Sequence, residues 1–142
     1  LMTWFPSKRS VAIWGGPKFR YPFTLETFRE DMHWQQIGSY CLVDAGTDIL
    51  AFGQIYERHR RINLARLVVS PDRRREGLGR RLVMLLMEKG RETFSLKEFS
   101  LYVYRDNRAA KTCYLQMGFE QRHPPAGDDI PDDCIYMTRA IQ

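Results

Sequence analysis

Val68-Val69-Ser70-Pro71-Asp72-Arg73-Arg74-Arg75-Glu76-Gly77-Leu78-Gly79-Arg80-Arg81 decides how this chain is read. An apolar run stops at a proline, an arginine-rich loop with two glycines follows, and an apolar-periodic segment starts at Leu78. Such a strand–loop–helix joint presents free backbone N–H groups and the positive end of a helix dipole to whatever lies above it. That is an anion site, most naturally a phosphate site.

Outward from that joint, the whole sequence sets bounds. With 142 residues the chain is expected to be one domain with a real core. The apolar run Leu82–Met87 is far too short to span a bilayer. No charged-then-apolar leader opens the sequence, so a cytoplasmic location without membrane attachment is expected. Cys41, Cys113 and Cys134 are scattered and show no metal-ligand spacing, which suits reduced structural thiols and no bound metal. The net charge of +5 is modest and much of the arginine sits between Arg73 and Arg81. A nucleic-acid surface would spread over a helix face with interleaved aromatics, and no such face is present.

Periodicity and caps then place the elements. Ser7–Trp14 reads as a short helix closed by Gly15-Gly16-Pro17. Thr24 caps a second helix running to about Trp34, with Glu26 in its first turn. Ser39–Asp44 and Ile49–Tyr56 read as strands joined by the turn Ala45-Gly46-Thr47-Asp48. Arg61–Ser70 is the next strand, and its alternation slips between Leu64 and Leu67, as a bulge would make it do. Leu78 to about Lys89 is the long helix, with Gly90 as its stop. Phe99–Tyr104 is a strand, and Asp106 or Asn107 caps a helix through Met117 that Gly118 ends. Phe119–Arg122 and Cys134–Ala140 are the last strands, divided by the acidic stretch His123–Asp133. This order predicts a mixed α/β fold on one sheet flanked by helices, not a doubly wound parallel one.

Two nucleotide readings fail. The P-loop pattern is absent. A dinucleotide fingerprint started at Gly77 and Gly79 meets Leu82 where its third glycine belongs, and Glu98 falls at the start rather than the end of the next strand. A third pattern fits. Arg74-x-x-Gly77-x-Gly79 resembles the acyl-CoA loop of the GNAT superfamily of N-acetyltransferases, and Asn107-x-x-Ala110-x-x-x-Tyr114-x-x-x-Gly118-Phe119 resembles that family's second cofactor segment. The two lie at the family's usual separation. The resemblance covers Ser39 to the C terminus well and the first two helices loosely. The family usually opens with a strand, and here only Leu1–Phe5 could supply it, cut short by Pro6. That strand is therefore expected to be missing or truncated.

The resemblance implies a mostly antiparallel sheet with splayed central parallel strands, and acetyl-CoA as co-substrate. Backbone amides of about Arg75, Glu76, Gly77, Leu78, Gly79 and Arg80 would face the diphosphate, with Arg74 and its neighbours adding charge. The strand edge at Leu67, Val68 and Val69 would bind the pantetheine amides as an added strand does, and Asn107 and Ala110 would line the other side. Asn107 could equally be only a helix cap. The family's chemistry is direct attack by an amine on the thioester. Tyr114 matches the position of the acid that meets the departing thiolate. A free phenol near 10 and a thiol near 8.5 make full proton transfer uphill by roughly 2 kcal/mol, so a strong hydrogen bond to the thiolate is the expected role. Cys113 lies one residue away, about 100° around the helix, and cannot face the same group.

The base is less defined. Family members that acetylate protein N-termini commonly carry Glu five residues before the motif Asn, where this chain has Tyr102; others carry Glu in the bulged strand, where this chain has none. Glu57, His59 and His123 remain, each also readable as a surface residue. The acceptor would lie between Trp14–Phe23 and His123–Asp133, where aromatics and Asp128, Asp129, Asp132 and Asp133 suit a cationic amine if the acidic run is not simply solvated. Three functions stay open: an N-acetyltransferase acting on a small or peptide amine, a non-catalytic coenzyme-binding module, and an arginine-driven nucleic-acid binder. Exposed strand edges make a homodimer plausible.

Overall fold

The computed structural model describes residues 1–141. Ser7 caps α1 (Lys8–Gly15) and Thr24 caps α2 (Leu25–Met32), each through a reciprocal box with the residue three places on. Helix α2 ends before Trp34, because His33 turns left-handed at φ 49°. Strands β1 (Gly38–Val43), β2 (Ile49–Arg58) and β3 (Arg61–Val69) form an antiparallel meander. Helix α3 (Leu78–Thr93) leads to β4 (Glu98–Tyr104), parallel to β3. Helix α4 (Arg108–Gln116), β5 (Glu120–Arg122) and β6 (Cys134–Ala140) follow, giving the sheet order β1-β2-β3-β4-β6-β5. Apart from β3–β4, every pairing in this sheet is antiparallel.

The period-2 alternation of the strands builds two cores. On one face Ala51, Ile55, Ile62, Leu64, Phe99 and Leu101 pack under α3 and α4. On the other, Phe52 joins Phe5, Val11, Phe19, Phe28 and Met32 beneath α1 and α2. Leu1–Phe5 supply no strand: Met2–Trp4 make a 3-10 turn, and this segment packs into the aromatic core.

One expectation fails and another holds. Gly90 does not stop α3, which runs on to Thr93. A Cβ there would stand 2.9 Å from Ile62 Cγ2, so Gly90 lets the helix lie close on the sheet. The slip in β3 is a bulge. Gln54 pairs with Ala65 and Phe52 with Val68, so Arg66 and Leu67 both oppose Gly53, with Arg66 at φ 51°. Gly53 makes room for it, since a Cβ there would meet Leu67 Cδ2 at 2.8 Å and Leu86 Cδ1 at 2.6 Å.

Candidate active site

The bulge positions the site. Strands β3 and β4 pair only through Ile62–Phe99, Asn63–Ser100 and Leu64–Leu101. Both continue, to Val69 and Tyr104, without further pairing to each other. A bulge bends and twists its strand, which accounts for the parting. The edge of Leu67, Val68 and Val69 that faces away from β2 is thereby left open. On its other edge β3 remains held, with Val68 against Phe52 and Val69 against Ala51.

The joint that opened the sequence reading lies just beyond. A 3-10 turn at Pro71–Arg73 and an extended Arg74 lead into two left-handed residues, Arg75 at φ 68° and Gly77 at φ 75°. Gly77 caps α3, and the first helical bond is Arg81 N–H to Gly77 O at 3.2 Å. The amides of Leu78, Gly79 and Arg80 precede it and have no intrahelical acceptor. The two glycines are uncrowded: a Cβ on Gly77 would meet nothing within 4 Å, and one on Gly79 only Val69 Cγ2 at 3.8 Å. The Arg73 guanidinium binds Glu76 at 2.8 and 3.1 Å, so the Glu76 side chain is spent within the loop. Among the described residues Arg74, Arg75 and Arg80 make no ion pair.

Helix α4 supplies the third wall. Asn107 Oδ1 accepts from Ala110 N–H at 3.3 Å, so its side chain caps the helix. Ala110 and Tyr114 pack on the same core as Leu67 and Val69. Tyr114 lies edge-on to Phe119, with ring centres 6.0 Å apart. Burial pushes its phenol well above the ordinary tyrosine value, with a smaller contribution from Cys113. Tyr114 is thus a neutral hydrogen-bond donor across the working range of pH. Cys113 turns its Sγ to Met117 Sδ at 3.8 Å, and burial pushes its thiol up despite Arg80.

On the opposite face of the sheet a cleft of about 240 Å³ opens where β3 and β4 part. Trp14, Arg66, Tyr102, Tyr104, Asp129 and Cys134 are among its walls. Burial and Asp133 push the Cys134 thiol up, against a hydrogen bond with Tyr104. Trp14 Nε1 donates to Arg66 O at 2.7 Å, and the Arg66 guanidinium donates to Gln54 Oε1 at 2.8 Å and Gly15 O at 3.4 Å. These bonds tie the end of α1 to the bulge.

The acidic loop behaves differently from its sequence. Asp128 folds inward, its side chain only 7 % exposed, to meet Arg58 at 3.3 Å and His59. The Tyr102 hydroxyl donates to its second carboxylate oxygen. Burial alone would raise the Asp128 carboxyl, but the hydrogen bonds of Tyr102 and His59 and the Arg58 charge hold it below its usual range. Only Asp129 of the acidic run lines the cleft. Glu57 and His123 are exposed, and of the three base candidates only His59 joins this cluster. Tyr102 and Asp128 stand out in the sequence only separately. Nothing local signals that a loop 26 residues further on returns to meet Tyr102.

A mixed sheet whose parallel strands part beside a glycine-led helix N-terminus is an acetyltransferase architecture. The chain belongs to the acetyltransferase (GNAT) family, which it matches over residues 9–119. It shares its fold with spermidine N-acetyltransferase from Vibrio cholerae, solved with CoA and spermine, at TM-score 0.74 and 16% identity over 98% of this chain and 86% of that one. The PaiA N-acetyltransferase of Thermoplasma acidophilum, solved with coenzyme A, has TM-score 0.63 and 19% identity, covering 80% and 69% of the two chains. A UPF0039 protein of Schizosaccharomyces pombe is 27% identical over 85 residues, 59% of this chain and 55% of that protein. The chain thus spans about half the length of this curated relative. No helix among the described residues is long and apolar enough to cross a membrane.

Proposed function

We propose that this protein transfers the acetyl group of acetyl-CoA directly to a primary amine of a small molecule or peptide. The observation that carries the reading is the set of unpartnered amides at Leu78, Gly79 and Arg80 beside the open edge Leu67–Val69. Amides at a helix start suit a diphosphate, and Arg74, Arg75 and Arg80 add charge whose planar donors match phosphate oxygens. An open strand edge suits the two amides of a pantetheine arm. Asn107 and Ala110, at the start of α4, would line the other side of that arm.

The coenzyme supplies the activated thioester, and the chain's residues orient it and manage charge. Tyr114 donates a hydrogen bond to the thiolate as it leaves. Its raised phenol makes complete proton transfer more uphill than for a free tyrosine, so hydrogen bonding is its contribution unless the amine's proton leaves in the same step. Direct transfer is favoured over an acyl-enzyme because burial keeps both Cys113 and Cys134 protonated, and a thiol is a poor nucleophile.

The test is thiol release from acetyl-CoA with a panel of primary amines. Amine-dependent release supports the reading. Tight coenzyme binding without release for any amine would leave a coenzyme-binding module, and stabilisation by DNA but not by coenzyme would remove both.

A further inference from the structure

Tyr102 occupies the point where the parallel pair ends. Its neighbour Leu101 makes the last β3–β4 pairing, with Leu64, and Tyr102 is the first residue of β4 beyond it. It lines the cleft together with Arg66 and Asp129. Its hydroxyl donates to Asp128. Asp128 is fixed from two other directions, by Arg58 at the end of β2 and by His59 in the following turn. The Arg58 guanidinium also lies over the Tyr102 ring, 5.0 Å from its centre, and Tyr136 packs on that ring at 4.8 Å.

An ionised carboxylate only accepts hydrogen bonds, so the shared proton belongs to Tyr102. With that proton committed to Asp128, the Tyr102 oxygen has only lone pairs left to offer the cleft. Burial and the Asp128 contact push this phenol well above its ordinary value, against the Arg58 charge, so it is not a phenolate. The group therefore accepts an N–H without removing a proton. Arg58 offsets the Asp128 carboxylate behind it, so Tyr102 meets the nitrogen as a neutral acceptor, and the other carboxylate of the cleft wall, Asp129, is exposed to solvent. Resting on the transferase reading above, we propose that Tyr102, oriented by Asp128, is the subsite for the acceptor nitrogen and takes a weakly basic primary amine. A peptide α-amine near pKa 8 is partly neutral at pH 7. A lysine-like amine near 10.4 is neutral only about one part in a few thousand at pH 7, so the attacking species is depleted by roughly 10³-fold or more. A site that positions nitrogen without a base selects the former.

The experiment measures acceptor kinetics at pH 7 for the wild type, Tyr102→Phe, Asp128→Asn and the double variant, with a panel running from peptide α-amines to spermidine. The wild type is expected to prefer the weakly basic members. Tyr102→Phe is expected to lower acceptor kcat/KM by about ten- to a hundredfold with coenzyme affinity unchanged. Asp128→Asn is expected to cost activity in the wild-type background and nothing further beside Tyr102→Phe, since it acts through that hydroxyl. An undiminished Tyr102→Phe, an Asp128→Asn loss of equal size in both backgrounds, or a preference for spermidine would overturn the subsite. Coenzyme bound without thiol release for any amine would overturn the transferase reading and the subsite with it.

Discussion

Tyr114 and Cys113 are adjacent residues on one helix with opposite assignments. Burial raises both groups, which keeps the phenol a donor and keeps the thiol from being a nucleophile. Tyr114→Phe should therefore lower kcat by about 10²–10³-fold, the usual cost of deleting one donor to a developing anion. Coenzyme affinity, read by titration calorimetry, should not change. Cys113→Ala should leave turnover within about twofold, because a small apolar substitute keeps the packing against Met117 and no covalent step is lost. A stable acetyl adduct on Cys113, seen by mass spectrometry, would contradict this. Asn107 shows how far a residue type alone can be read. Its side chain is a cap, as its position before a helix allowed, and any contact with coenzyme must use what that bond leaves free.

Helix α3 carries the proposed anion site at one end and a close approach to the sheet at the other. Gly77 at φ 75° is a position an L side chain enters only with strain, so Gly77→Ala should destabilise by about 1 kcal/mol, measured by denaturant unfolding. Gly90→Val should cost about 1–3 kcal/mol in the same assay, because its side chain would collide with Ile62 and Phe99. Stability equal to wild type would mean that α3 can shift off the sheet at no cost. The two glycines also mark what was legible. Gly77 announced itself, since strand, proline, arginines and glycines are contiguous and the helix start is local chemistry. Gly90 was misread as a stop because its reason is a contact with Ile62, a residue far away in sequence. The bulge was visible as a slip in alternation between Leu64 and Leu67, but not its partner Gly53 or the Arg66 bonds to Gln54 and Gly15. The acidic loop was legible only as composition. Its inward fold depends on Arg58, His59 and Tyr102, three residues from two strands and a turn.

At the scale of the whole molecule, charge placement sets the pH range of stability. Arg20 holds the Asp31 carboxyl below its usual range, chiefly by hydrogen bonding, and Asp128 is likewise held down against its burial. A carboxyl lowered by folding contributes stability above its unfolded value, near 3.9, and that contribution is lost as pH falls through the folded value. Tyr102 and Tyr114 are raised, so their contribution is complete below about pH 10 and is lost as pH rises beyond it. The melting temperature, followed by calorimetry, should be level between about pH 5 and 9 and fall on both sides. Asp128→Asn should flatten part of the acid fall. A melting temperature that held steady down to pH 2 would mean these carboxylates are not engaged in solution. The two cores hold α1–α2 and α3–α4 on opposite faces, and β3 and β4 cease to pair between them beyond Leu64–Leu101. Coenzyme on the α3 side and amine on the α1 side would meet there. The most direct measurement is a backbone amide NMR titration with coenzyme A. The largest shifts should fall at Leu78, Gly79 and Arg80 and along Leu67–Val69, whereas binding that left these amides unmoved would contradict the proposed site.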